Sequence, residues 1–122
     1  MSRRIVDTPG RNEKREDALR PNPYLGYGRD HLALHLMGRG ALGIAESQFR
    51  RAVWLNPYEP AFKAHLAECL YRRHDYAEAR NWAAQALEQS SGNAGYRELL
   101  SMIEHGLASD SSGLAQKEVR HD

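Results

Sequence analysis

The residues able to do chemistry are few, and their spacings allow only a short list of reactions. His31 and His35 lie four residues apart, one turn of a helix, and His65 and Cys69 repeat that spacing. Two such side chains on one helix face can hold zinc, but a structural site needs four ligands, and neither pair has clear further ligands nearby. Incidental neighbours on a helix explain both pairs better, and no metal is expected. Arg50-Arg51 and Arg72-Arg73 form two basic doublets, with Trp54 and Tyr71 available to stack on a base. Acidic residues intersperse the same helices, so a solvated outer face competes with a phosphate site. Cys69 sits beside Leu66 and Leu70, where a buried, inert thiol is expected rather than a nucleophile. Gly26-Tyr27-Gly28 is no phosphate loop, since no strand precedes it and no Lys-Ser/Thr pair follows. Asp75 reads as a helix cap, not as an acid catalyst. No triad is evident, so neither an enzyme nor a cofactor is expected.

Bulk properties narrow the field further. The 122 residues carry 17 Lys plus Arg against 16 Asp plus Glu, a net charge of +1, which argues against nucleic acid as the partner. Residues 1–20 hold six basic and four acidic groups, and the stretch from Ala94 onward is net acidic. Both look like solvated chain rather than phosphate-binding arms. A single cysteine rules out an internal disulfide and fits a reducing compartment. No apolar run is long enough to span a membrane. Arg3 and Arg4 are followed only by Ile5 and Val6, so no signal sequence is read, and a cytoplasmic location is expected.

The elements that must position these residues are all helical. Residues 1–23 are polar and expected to be flexible, with Pro21-Asn22-Pro23 as a stiff junction. Leu32, Ala33 and Leu36 line a first helix that Gly38 and Gly40 close. Leu42, Ala45, Phe49, Ala52, Val53 and Leu55 line a second, which Pro57 stops. Pro60 opens a third in the favoured first turn, with Phe62, Leu66, Ala67 and Leu70 on its apolar side. Asp75 to Glu78 reads as a capping box before a fourth helix through Ala79, Trp82, Ala83, Ala86 and Leu87, with Gly92 as its C-terminal glycine. Tyr96, Leu99, Leu100, Ile103 and Leu107 form one stripe on a fifth. The stretch 109–122 has no stripe and is expected to be a flexible tail.

The chain also repeats itself. A shift of 34 residues lays Leu32, Ala33 and Leu36 on Leu66, Ala67 and Leu70, and lays Leu42, Ala45, Ala52 and Val53 on Tyr76, Ala79, Ala86 and Leu87. The matches fall at buried slots and the mismatches at exposed ones, the pattern that packing produces. Small residues let antiparallel helices approach, larger ones fill the space around them, and each unit needs a neighbour to cover its apolar side. Replacing Leu66 or Leu70 with Ala should cost roughly 2–5 kcal/mol.

These residues resemble the tetratricopeptide repeat family. Residues 26–59 match at Leu32, Ala33, Leu36, Gly40, Ala45, Phe49, Ala52 and Pro57; residues 60–93 match at Leu66, Ala67, Leu70, Tyr76, Ala79 and Ala86. Residues 94–108 look like the extra helix that often caps such arrays. The family's frequent Trp is Arg29 in the first unit and Lys63 in the second, Ala83 replaces a usual aromatic, and Ser91 a usual Pro. The resemblance implies an all-α superhelix of stacked antiparallel hairpins, with five helices in one domain over 24–108. It also implies a non-catalytic adaptor or scaffold that takes a peptide in a concave groove.

Carried onto this chain, that groove comprises Tyr27, Asp30, Leu34 and Met37 from the first unit, Ala64, Glu68 and Tyr71 from the second, and Glu98 and Met102 from the cap. Each of these residues has the competing role of finishing the core. The mixture suits a peptide with apolar side chains and a basic group. The Lys and Asn of the family's carboxylate clamp are replaced by Asp30 and Leu34, so capture of a chaperone tail is not expected. The alternative is a structural protein that self-associates or docks through the open N-terminal end of the stack, which has no obvious cover.

Overall fold

The structure, a computed structural model, describes residues 24–121, with side chains through residue 110. The expected flexible segment 1–23 lies outside the described residues. Five helices follow one another: α1 (Tyr27–Gly38), α2 (Leu42–Leu55), α3 (Pro60–Arg72), α4 (Tyr76–Gln89) and α5 (Ala94–His121). No strand occurs among the described residues.

Local chemistry sets the boundaries. Gly40, at φ 85°, closes α1: its N–H donates to the Met37 carbonyl, and the Ala41 N–H donates to that of Leu36. The same two bonds close α3, but His74 occupies the left-handed position at φ 68°. Pro60 stands in the first turn of α3, and the Glu59 side chain accepts from the Ala61 N–H. Asp75 caps α4 by accepting from the Glu78 N–H. The Glu78 carboxylate does not close the expected box; it is engaged by Arg50 and Trp82. Gly92 likewise lies past the α4 C-cap, Ser90, and is not left-handed. The last helix extends beyond the expected boundary at 108. No proline follows, and Leu114 to Arg120 is rich in good helix formers, so the sequence holds no stop there.

Small residues mark the closest crossings. Ala33, Ala45, Ala52, Ala67, Ala79, Ala83 and Ala86 are all fully buried, with Phe49, Phe62, Leu66, Leu70 and Ile103 filling the space between them. Sequence neighbours pack most extensively, and α1 touches α3 as α3 touches α5. The first helices of successive units therefore lie side by side, with α5 taking the next place in the row. Its Gly106 comes close enough that a β-carbon would stand 3.0 Å from the Tyr76 ring.

Leu32, expected in the core, is not in it. Leu32 is 46% exposed, whereas its counterpart Leu66 is fully buried. The reason is positional: α2 precedes α3 and packs against it, and no helix among the described residues does so for α1.

Candidate functional site

The row formed by α1, α3 and α5 positions the side chains assigned to the groove. Glu68, Tyr71, Glu98 and Met102 converge on a single cleft of about 420 Å³, together with Arg72, Gly95 and Leu99. Helical spacing explains the convergence, since Glu68, Tyr71 and Arg72 share one side of α3, and Glu98, Leu99 and Met102 share one side of α5. Met102 is 45% exposed and supplies apolar surface. Tyr71 packs against Tyr76, ring centroids 5.6 Å apart, which fixes one wall. Arg72 pairs with Glu68 at 2.7 Å. Glu98 is exposed and has no ion pair among the described residues. The cleft thus combines apolar side chains, Tyr71, Leu99 and Met102, with one carboxylate, Glu98, that has no ion pair among the described residues.

The remaining assigned residues are placed differently. Met37 and Ala64 are each 95% buried and finish the core. Tyr27 and Leu34 are partly buried against it. Asp30 is buried and joins the two units, its carboxylate 2.8 Å from His65 Nδ1. Tyr27 also ties the units together: its hydroxyl donates to Glu59, and its ring meets Phe62 edge-on at 4.9 Å. The bond to Glu59 raises the Tyr27 pKa, since ionisation would set two negative oxygens against each other.

The sequence singles out neither the Asp30–His65 pair nor Gly95, and it marks Arg72 only as half of a basic doublet and Leu99 only as part of the stripe on the fifth helix. A signal for the first existed, because His31 and His65 are 34 apart and only His65 follows a unit that carries Asp30.

The other candidate features resolve as follows. His31 and His35 are exposed, His65 is held by Asp30, and Cys69 is buried with its thiol 3.4 Å from the Leu42 carbonyl. Burial pushes that thiol pKa up. Among the described residues, no group of three or more His, Cys, Asp or Glu is arranged to hold a metal.

Of the two arginine doublets, Arg50 bridges Glu46 and Glu78, Arg73 pairs with Glu46 at 2.6 Å, and Arg72 pairs with Glu68. Arg51 and Trp54 line a second, outward-facing cleft of about 640 Å³ together with Arg50, Arg73 and Glu46. No helix among the described residues is long and apolar enough to cross a membrane.

Antiparallel helix pairs that repeat every 34 residues, with first helices aligned along one side, define a helical-repeat protein. The tetratricopeptide repeat profile matches residues 36–103, more than half of the chain, and the protein belongs to the tetratricopeptide repeat family. The match opens inside α1 and closes inside α5, so it takes in the hairpin junctions on which the stack depends. Repeats of this family are in general protein-interaction modules. No curated protein matches the chain.

Proposed function

We propose that the protein is a non-catalytic adaptor that binds a peptide segment in the cleft between α3 and α5. The observation that carries this reading is the convergence of Glu68, Tyr71, Glu98 and Met102 on one concavity. Its volume lies in the range that takes one or two side chains rather than a whole domain. Tyr71, Leu99 and Met102 offer apolar and adaptable contact, and Glu98 selects a Lys or Arg beside the apolar side chain. Three of the four doublet guanidiniums are already matched by carboxylates, which favours a peptide over a nucleic acid. A lone cysteine and the absence of any disulfide suit a cytoplasmic setting.

Peptides selected by display against the full chain test the proposal. They are expected to pair an apolar residue with a basic one, and to lose about tenfold in affinity against Glu98→Lys or Met102→Asp. Ile44→Asp, which lies on α2 outside the cleft, should leave them unaffected. Selected peptides that bind wild type and both cleft variants equally would remove the reading.

A second reading is docking through the open end of the stack, with a second copy or another chain. The exposure of Leu32 favours it. Sedimentation of wild type and Leu32→Asp over a range of concentrations tests the self-association form, which requires a dimer that the variant loses.

A further inference from the structure

The second unit shows how a unit of this chain is covered, so it serves as a template for the uncovered side of the first. On α3, Phe62, Leu66 and Cys69 are fully buried. Contacts to the first unit account for much of this. Phe62 meets Tyr27 and closes on Gly26, the Cys69 thiol reaches the Leu42 carbonyl, and Arg73 at the end of α3 pairs with Glu46 of α2 at 2.6 Å. A step of 34 residues back places Gly28, Leu32, His35 and Arg39 in the same slots of α1. All four are exposed.

Two details of these slots point to what would cover them. Arg39 is the C-cap of α1 at φ −93°, ψ 3°, and Arg73 is the C-cap of α3 at φ −88°, ψ 2°, so the two guanidiniums leave their helices from the same backbone geometry. Yet Arg39 has no ion pair among the described residues. Gly28 stands where the second unit carries Phe62, and a β-carbon there would meet nothing within 4 Å. The slot is an open notch.

The charge of this side selects among occupants. Arg39 is exposed on this side, whereas Arg29 lies about a quarter turn away with its guanidinium donating to Gln48 of α2, and the one carboxylate of α1, Asp30, is buried against His65. A second copy meeting this face with its own would offer Arg39 no carboxylate, since the only one on α1 is buried. The chain's own residues 1–20, with six basic and four acidic groups, are not complementary either. We infer that the side of α1 bearing Leu32 docks an amphipathic helix of another protein, one whose apolar stripe covers Leu32 and fills the notch at Gly28, and whose carboxylate pairs with Arg39. This deepens the docking reading above and rests on it, while being independent of the cleft between α3 and α5. The partner helix takes the place relative to α1 that α2 takes relative to α3, with its carboxylate in the role of Glu46.

The template supplies the probe, a labelled synthetic peptide spanning residues 41–56, titrated into the full chain and followed by fluorescence anisotropy. Saturable binding is expected, weakened about tenfold or more by Leu32→Asp and to a similar extent by Arg39→Glu. Against Arg39→Glu, a peptide with Glu46→Arg should recover most of the lost affinity. Met102→Asp, in the cleft, should change nothing. Because Leu32 and Arg39 are exposed, both variants should keep the wild-type helical circular dichroism, which is checked alongside.

Absence of saturable binding up to millimolar peptide, or binding indifferent to Leu32→Asp, overturns docking at this face. Loss with Leu32→Asp but no recovery on charge reversal overturns the carboxylate assignment alone. A concentration-dependent dimer that Leu32→Asp abolishes assigns the face to a second copy and overturns the choice of partner.

Discussion

Leu32 and Leu66 occupy the same slot of successive units, share the same neighbours in sequence pattern, and differ in whether another helix lies over them. Truncating each to alanine therefore isolates the contribution of stacking. Leu66 is fully buried, so its truncation removes the transfer free energy of the lost carbons and leaves a cavity that the surrounding helices close only in part. The expected cost is about 3 kcal/mol, within the range of 2–5 for such sites. Leu32 keeps 46% of its surface in water. Complete burial of a leucine side chain is worth roughly 1.5–3 kcal/mol, so half burial with no enclosed cavity leaves about 1 kcal/mol.

For a domain of this size, 1 kcal/mol moves Tm by roughly 4–8 °C. Leu66→Ala should therefore melt more than about 10 °C below wild type, and Leu32→Ala only a few degrees below it. Thermal and urea unfolding followed by far-UV circular dichroism measure both, with unchanged m-values required for the comparison to hold. Equal losses at the two positions would refute the argument, because they would mean that the first unit is covered as completely as the second.

Two further perturbations probe the joint between units. Gly26→Ala places a β-carbon 2.6 Å from the Phe62 ring and 3.1 Å from the Ala52 carbonyl, at a φ of +91° that L-residues avoid. The backbone cost of about 1–2 kcal/mol adds to a similar cost of overpacking, so unfolding should shift by roughly 2–4 kcal/mol; a shift below about 0.5 in urea denaturation would contradict the close approach. Hydrogen bonds from Arg50, then from Trp82, hold the Glu78 carboxyl below the usual glutamate range. Stability from a lowered carboxylate pKa is complete above the unfolded value, about 4.3, and is lost as pH falls through the folded one. Glu78→Gln should thus destabilise at neutral pH and converge on wild type in acid, and a difference in urea midpoint that stays constant from pH 7 to about pH 3 would exclude the linkage.

Much of the fold is written in local chemistry. Pro60, Asp75 and the Gly40 turn mark helix ends because each satisfies or withholds particular backbone groups within a few residues, and such effects need no knowledge of the rest of the molecule. The buried alanines were legible for a related reason: a fixed 34-residue interval shows which slots must be small. Glu78 was misread for the complementary reason. Its spacing from Asp75 fits a capping box, but Arg50, 28 residues away, offers a charge-assisted bond that a local reading does not contain. Gly92 looked like a helix-ending glycine, but it lies beyond the Ser90 cap.

The groove divides along the same line. The helical register of α3 and α5 placed Glu68, Tyr71, Glu98 and Met102 on shared sides, and these do meet around one cleft. Register alone could not separate them from Met37 and Ala64, which sit at similar slots but are buried, because burial is set by what packs above a helix. By itself, then, the sequence determined an all-helical stack of two equivalent hairpins and a cap, through spacing, capping and repeat. Only the tertiary structure decided which copy of each slot is covered. Leu32 and Leu66, or Arg39 and Arg73, carry the same local instruction and end in different surroundings, since this side of a unit is covered by the unit before it, and the first unit has no preceding one among the described residues.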